Sequence, residues 1–190
     1  MNILGIIASS KLGVDAGDFE SIATVSVGSG GAANVEFTSI PGTYTHLQIR
    51  GISCGTRADY RIGEAEVTFN SDTGSNYACH DIYGNGSAVS ATGLSSRSNI
   101  RIAPGTLGGN AGGTAFFGAI IIDILDYANV NKYKTFHYSG VPYDGSDGRA
   151  AVMTGAWMNK TSAITSISLE SSSGNWTANS HFALYGIKGS

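Results

Sequence analysis

The strongest constraint on this chain is an alternation of apolar and polar side chains with a period of two. Val35 and Phe37 alternate with Asn34, Glu36 and Thr38, and Leu47 and Ile49 with His46, Gln48 and Arg50. Ala65, Val67 and Phe69 alternate with Glu64, Glu66 and Thr68. The pattern returns at Ile167 and Leu169 beside Ser166 and Ser168, and at Phe182 and Leu184 beside His181, Ala183 and Tyr185. Successive strand side chains point to opposite faces, so each run offers one face to a core and one to solvent or a neighbour. Antiparallel sheets with one wet face read this way. Turn chemistry separates the runs, at Pro41-Gly42, Asp72-Thr73-Gly74, Gly84-Asn85-Gly86, Pro104-Gly105, Asp144-Gly145 and Asp147-Gly148. The expected fold is all-β: an antiparallel sandwich, jelly roll or small barrel.

Three segments depart from the pattern. Phe116 to Leu125 is apolar on both faces, and its three consecutive isoleucines favour a strand over a helix. It is expected to be a central strand covered on both sides, by a neighbouring subunit on one of them, with a buried helix as the alternative. Asn85 to Gly113 is rich in Gly, Ser, Ala and Asn, which suits irregular strands joined by long loops. Residues 2–8 are apolar at both Ile3/Ile7 and Leu4/Ile6, and residues 11–18 form a connector. The chain thus divides into an arm and connector, 1–18, and a sandwich domain, 19–190. The arm is either an edge strand of its own domain or a strand that docks into a partner by β-augmentation. Burial of its four large side chains would contribute on the order of 6–12 kcal/mol before ordering and association costs.

Composition narrows the function. Charged residues are 13% and the net charge is -3, with no cluster of Lys and Arg, which argues against nucleic-acid binding. No apolar run is long enough to span a bilayer as a helix. Cys54 and Cys79 read as separate buried thiols, with a bridge between them as the alternative. The four histidines, His46, His80, His137 and His181, lie in different segments without metal-ligand spacing. Asp123 and Asp126 adjoin the most apolar strand, but a buried hydrogen-bonded carboxylate and a turn residue describe them better than an acid–base pair. Asp144-Gly-Ser-Asp-Gly lacks the acidic spacing of a calcium loop and reads as a tight turn. No nucleophile elbow, Walker loop or dinucleotide fingerprint is present, and no cofactor is expected. Tyr83, Tyr143 and Trp176 lie beside turns, where their rings could contact a receptor or partner, or close their own core.

The stretch Phe37-Thr-Ser-Ile-Pro-Gly-Thr-Tyr-Thr-His-Leu-Gln-Ile-Arg50 resembles a family of small structural proteins of tailed bacteriophages, cyanophages and other marine and freshwater phages among them. Further matching pieces follow in the same order. They are Phe69-Asn-Ser-Asp-Thr-Gly-Ser-Asn-Tyr77, Asp123-Ile-Leu-Asp-Tyr-Ala-Asn-Val-Asn-Lys-Tyr-Lys-Thr135, Trp157-Met-Asn159 and His181-Phe-Ala-Leu-Tyr-Gly-Ile-Lys188. The likeness covers residues 19–190. The opening Asn2-Ile-Leu-Gly-Ile-Ile-Ala-Ser-Ser10 separately looks like the starts of phage tail and fibre proteins, where it would mark attachment to the particle. The resemblance implies a jelly-roll type of β-sandwich and a place on the outside of the virion, and it carries no catalytic residues.

Two functions follow as expectations. One is an adhesive appendage of tail-fibre or tip type, held by Ile3, Leu4, Ile6 and Ile7 and touching a host-surface glycan or protein. The other is a capsid decoration or head-fibre subunit. A non-enzymatic homotrimer is expected in either case, with Phe117, Ile120 and Ile122 at the subunit interface.

Overall fold

The computed structural model describes residues 17–56, 62–102, 107–108, 115–141, 148–172 and 174–189. Every regular element is a strand. In chain order they are β1 (Phe19–Ser26), β2 (Asn34–Phe37), β3 (His46–Ser53), β4 (Ile62–Gly63), β5 (Ala65–Phe69), β6 (Tyr77–Gly84) and β7 (Val89–Arg97). There follow β8 (Ile100–Arg101), β9 (Leu107–Gly108), β10 (Gly118–Leu125), β11 (Lys134–Val141), β12 (Ala150–Trp157), β13 (Ile167–Ser171) and β14 (His181–Ile187). The all-β antiparallel sandwich expected from the alternation is what forms.

A large sheet runs β1-β14-β3-β10-β11-β12-β6-β7, a small one β2-β13-β5-β8, and β4 pairs with β9. One relationship organises the two main sheets. The antiparallel pairs β1–β14, β2–β13, β3–β10 and β5–β8 nest inside one another along the chain, like a long hairpin folded over on itself. Successive pairs go alternately to the large and the small sheet. The remaining strands β11, β12, β6 and β7 extend the large sheet beyond β10.

One continuous core fills the space between the sheets. Leu47, Ile49, Phe182 and Leu184 from the large sheet face Val35, Phe37, Val67, Phe69, Ile167 and Leu169 from the small one, all buried. The register preserves the expected phase: Leu184 lies opposite Ile49, and Leu169 opposite both Val35 and Val67. In β10, the alternation that the sequence hides is restored. Ile120, Ile122 and Ile124 are buried in this chain's own core, whereas Ala119, Ile121 and Leu125 are exposed. Ile120 and Ile122 therefore cannot form a subunit interface. A strand that is apolar on both faces still has a single inward side, and here the chain's own core already buries it.

Several landmarks of the resemblance are fasteners of the fold. Buried Tyr127 donates its hydroxyl to the carbonyl of Pro41, and the Tyr127 hydroxyl oxygen in turn accepts from the Tyr44 N–H at 3.4 Å. The Asp126 N–H donates to His46 Nδ1 at 3.0 Å. Asn70 donates to the Ala163 carbonyl at 2.7 Å and accepts from the backbone N–H groups of Thr165 and Ser166. Such side-chain bonds satisfy loop backbone that no ladder reaches. Cys54 and Cys79 are separate buried thiols, and burial pushes both above the ordinary thiol range.

Candidate functional site

Among the described residues, the outer face of the large sheet is left uncovered, with Ile52, Ile82, Val141 and Val152 exposed on it. Cross-strand register lays its side chains in rows running from β1 to β7. One row contains Gln48, Asp123, His137, Thr154 and His80. Asp123 accepts from Gln48 Nε2 at 2.6 Å, and Gln48 Oε1 accepts from Arg50 Nε at 2.6 Å. His137 Nδ1 lies 4.0 Å from the other Asp123 oxygen. The Arg50 guanidinium also sits over the ring of Phe19, 5.1 Å from its centroid, and Phe19 stacks on Tyr185 at 4.7 Å. This is a polar strip tied together by its own hydrogen bonds, with an aromatic pair at one end. Asp123 is half-buried on this face rather than sealed in the core.

The neighbouring row runs Ile121, Ser139, Val152, Ile82 and Ala91, apolar except for Ser139. Ile121, Val152 and Ile82 lie close to Val141 and Val89 around a hollow of about 480 Å³. Val89 is 72% exposed, Val141 57% and Ile82 52%. With Ile52, Ile121 and Val152 they leave on the order of 500 Å² of apolar surface uncovered, the size of the largest patch on a typical monomer. Isolated exposed apolar residues need no explanation, but a contiguous set does. The sequence contained the signal in Ala150-Ala-Val-Met-Thr-Gly-Ala-Trp157, which is apolar on both faces apart from Thr154. Only the strand order brings that segment beside Ile121 and Ile82.

The aromatic contact residues fare unevenly. Trp176 is fully buried, so it is a core residue and cannot touch a receptor. Its Nε1 donates to the Leu169 carbonyl at 3.1 Å, and its ring meets Phe182 edge-on at 5.0 Å. A backbone bridge to Ala32 and another to Gly55 draw the turn inward, which is why turn adjacency misleads here. Tyr83 is half-buried at the rim of the apolar hollow, with the Arg149 guanidinium 5.3 Å from its ring centroid. Phe117 is partly exposed immediately before β10. Tyr143 and the arm residues Ile3, Leu4, Ile6 and Ile7 lie outside the described residues.

Three titratable groups, Asp72, Asp126 and Lys134, are committed to architecture. Asp72 accepts from Trp157 Nε1, Asn76 and the Gly74 N–H. Burial alone would push its carboxyl up, but those three donors together hold it below the ordinary aspartate value. Asp126 pairs with Lys132 at 2.7 Å, and that bond lowers its pKa. Lys134, an inward residue of β11 that drew no attention in the sequence, is fully buried. Its ammonium donates to the carbonyls of Asn159 and Lys132. Burial lowers its pKa. Among the described residues, no three His, Cys, Asp or Glu side chains gather into a metal-binding group. No protein-family model, no curated protein and no solved structure matches the chain.

Proposed function

We propose that the chain is a non-enzymatic structural protein of a tailed-phage virion, displayed outside the particle as a tail-fibre or tip-type appendage and attached through its N-terminal segment. The phage assignment rests on the resemblance of residues 19–190 and of Asn2 to Ser10. One structural observation supports a binding rather than a catalytic role. The large open surface is a broad sheet face divided into a polar strip and an apolar field, and the carboxylates near it are held in structural bonds. Faces of this kind suit contact with a macromolecule or an extended glycan. The jelly-roll reading is supported by the nested strand pairs, which give two four-stranded sets, β1-β14-β3-β10 and β2-β13-β5-β8, from one folded hairpin.

The partners proposed are other virion proteins, further copies of the chain, and a host-surface glycan or protein. A capsid decoration protein is the second reading, and the uncovered apolar field favours it, because shell-bound subunits bury such surface against neighbours. Immunogold labelling of intact virions separates the two. Label at the tail tip supports the appendage, and label over the head supports decoration. A third variable is the arm: deleting residues 2–8 should leave a folded domain that no longer joins the particle. Unfolding of that truncated chain would make the arm an edge strand of its own sandwich.

A further inference from the structure

We propose that Asn85, in the turn between β6 and β7, is a self-modification site: it closes on the Gly86 nitrogen to a cyclic imide and ends as aspartate or isoaspartate. The reaction uses only the chain and water.

The chemistry is an intramolecular acyl transfer. The backbone nitrogen of the following residue attacks the side-chain amide carbon. A new N–Cγ bond forms, the Cγ–Nδ2 bond breaks, and ammonia leaves carrying the proton that the attacking nitrogen gives up. Water then opens the ring at either carbonyl. One opening restores the ordinary backbone with an aspartate side chain, and the other gives isoaspartate, whose backbone runs through Cβ and Cγ. Three local conditions favour the reaction: an unhindered attacking nitrogen, donors aimed at the oxygen that gathers negative charge, and a leaving group that nothing ties down.

Asn85 meets all three. The chain contains one Asn-Gly pair, and it is Asn85-Gly86. Gly86 has no side chain to shield its nitrogen and sits at φ 87°, and a Cβ there would meet nothing within 4 Å, so the ring has room to close. Asn85 Oδ1 accepts from the Ser87 N–H at 3.0 Å and from the Ala88 N–H at 2.8 Å. Two backbone donors on one carbonyl oxygen act as a small oxyanion hole for the tetrahedral intermediate. Asn85 is exposed, and no described residue bonds its Nδ2, so water can receive the ammonia.

Other capped asparagines each fail a condition. Asn70 Oδ1 also accepts from two backbone N–H groups, but the Ala163 carbonyl holds its Nδ2 at 2.7 Å, and Ser71 follows it. Asn129 and Asn159 accept from the N–H groups of Asn131 and Thr161, but Val130 and Lys160 follow them and crowd the attacking nitrogen. The two products at Asn85 differ in consequence. Aspartate keeps the capping oxygen and adds charge to it, which strengthens both bonds. Isoaspartate turns that oxygen into a main-chain carbonyl and lengthens the loop by one carbon, while Gly84 must still face Val89. The end of the hairpin, which borders the apolar hollow, should loosen. The proposal stands whether or not the chain belongs to a virion.

Incubation of the full chain in mildly alkaline buffer, folded and in guanidinium, tests it by peptide mass mapping and isoaspartyl methyltransferase labelling. In the folded chain Asn85 should lose its amide about tenfold faster than any other asparagine, and no more slowly than in guanidinium. Backbone amide exchange from Val89 to Ala91 should quicken in the isoaspartate fraction and keep its wild-type rate in Asn85→Asp. Loss of the amide in guanidinium but not in the folded chain overturns the proposal, because the turn then protects Asn85. So does another asparagine that reacts as fast in the folded chain. Unchanged exchange in the isoaspartate fraction overturns the consequence drawn for the hairpin.

Discussion

Trp157 Nε1 donates to Asp72 Oδ2 at 2.7 Å, joining the last residue of β12 to the turn between β5 and β6. The bond ties the extension of the large sheet to the small one. Around it, Trp157 stacks on Tyr77 and meets Phe69 edge-on, while the Tyr77 hydroxyl donates to the Asp72 carbonyl at 2.9 Å. Asp72→Ala removes a charged acceptor from three donors and should cost about 2–3 kcal/mol in chemical denaturation. The native pKa of Asp72 is lowered, so its contribution is complete above the ordinary value of 3.8 and fades as pH falls through the native value. The stability gap between wild type and variant should therefore close in acid. A gap that is constant down to pH 2 would mean that the carboxylate charge contributes nothing.

Asp81 titrates with the opposite sign. Its side chain is buried in β6, opposite Thr92, with Arg101 Nη2 3.9 Å from Oδ2. Desolvation raises its pKa against the pull of Arg101. The folded state then holds the proton more tightly than the unfolded one, and stability falls as pH rises from about 3.8 through the raised value. Asp81→Asn abolishes that titration. Its melting temperature should gain on the wild type between pH 4 and pH 7. A variant that loses ground over that interval would show that Arg101 outweighs burial.

Trp176 distinguishes a core role from a contact role. Fully buried and bonded to the Leu169 carbonyl, it should cost about 3–5 kcal/mol as Trp176→Ala, and the loss should appear as a lower denaturation midpoint. A residue that served only to touch a receptor would leave that midpoint unchanged.

The strands were legible because most of them have one wet face, as at Leu47 and Ile49 or Val67 and Phe69, where period two is unmistakable. β10 was legible as a strand but not in its exposure. Ile121 continues the apolar run on the outer face, and periodicity cannot tell a second covered face from an open apolar one. Trp176 was misplaced for a related reason, since a turn in sequence can still be folded under a sheet. The candidate surface was the least legible part. Ile82, Val89, Ile121, Val141 and Val152 come from five strands, and nothing local fixes the order β10-β11-β12-β6-β7 that joins them. Lys134 was silent because an inward lysine looks like any other polar residue until its two carbonyl acceptors are known.

Register also explains the glycines inside strands. Gly155 lies directly opposite Phe136, and a Cβ there would come 2.2 Å from the Phe136 ring and 2.5 Å from the Ala78 carbonyl. The ring covers bare backbone, and the carbonyl belongs to the paired strand β6, so neither side can yield without moving the sheet. Gly155→Ala should therefore cost about 1–3 kcal/mol through overpacking, although alanine is no worse than glycine as a strand residue. Gly30, where nothing lies within 4 Å, supplies the control: Gly30→Ala should be neutral or slightly stabilising, because it only restricts the unfolded chain. Paired denaturation curves check both. Equal behaviour of the two variants would mean that Phe136 can turn away from Gly155, and that the contact at the centre of the extension is looser than its distances imply.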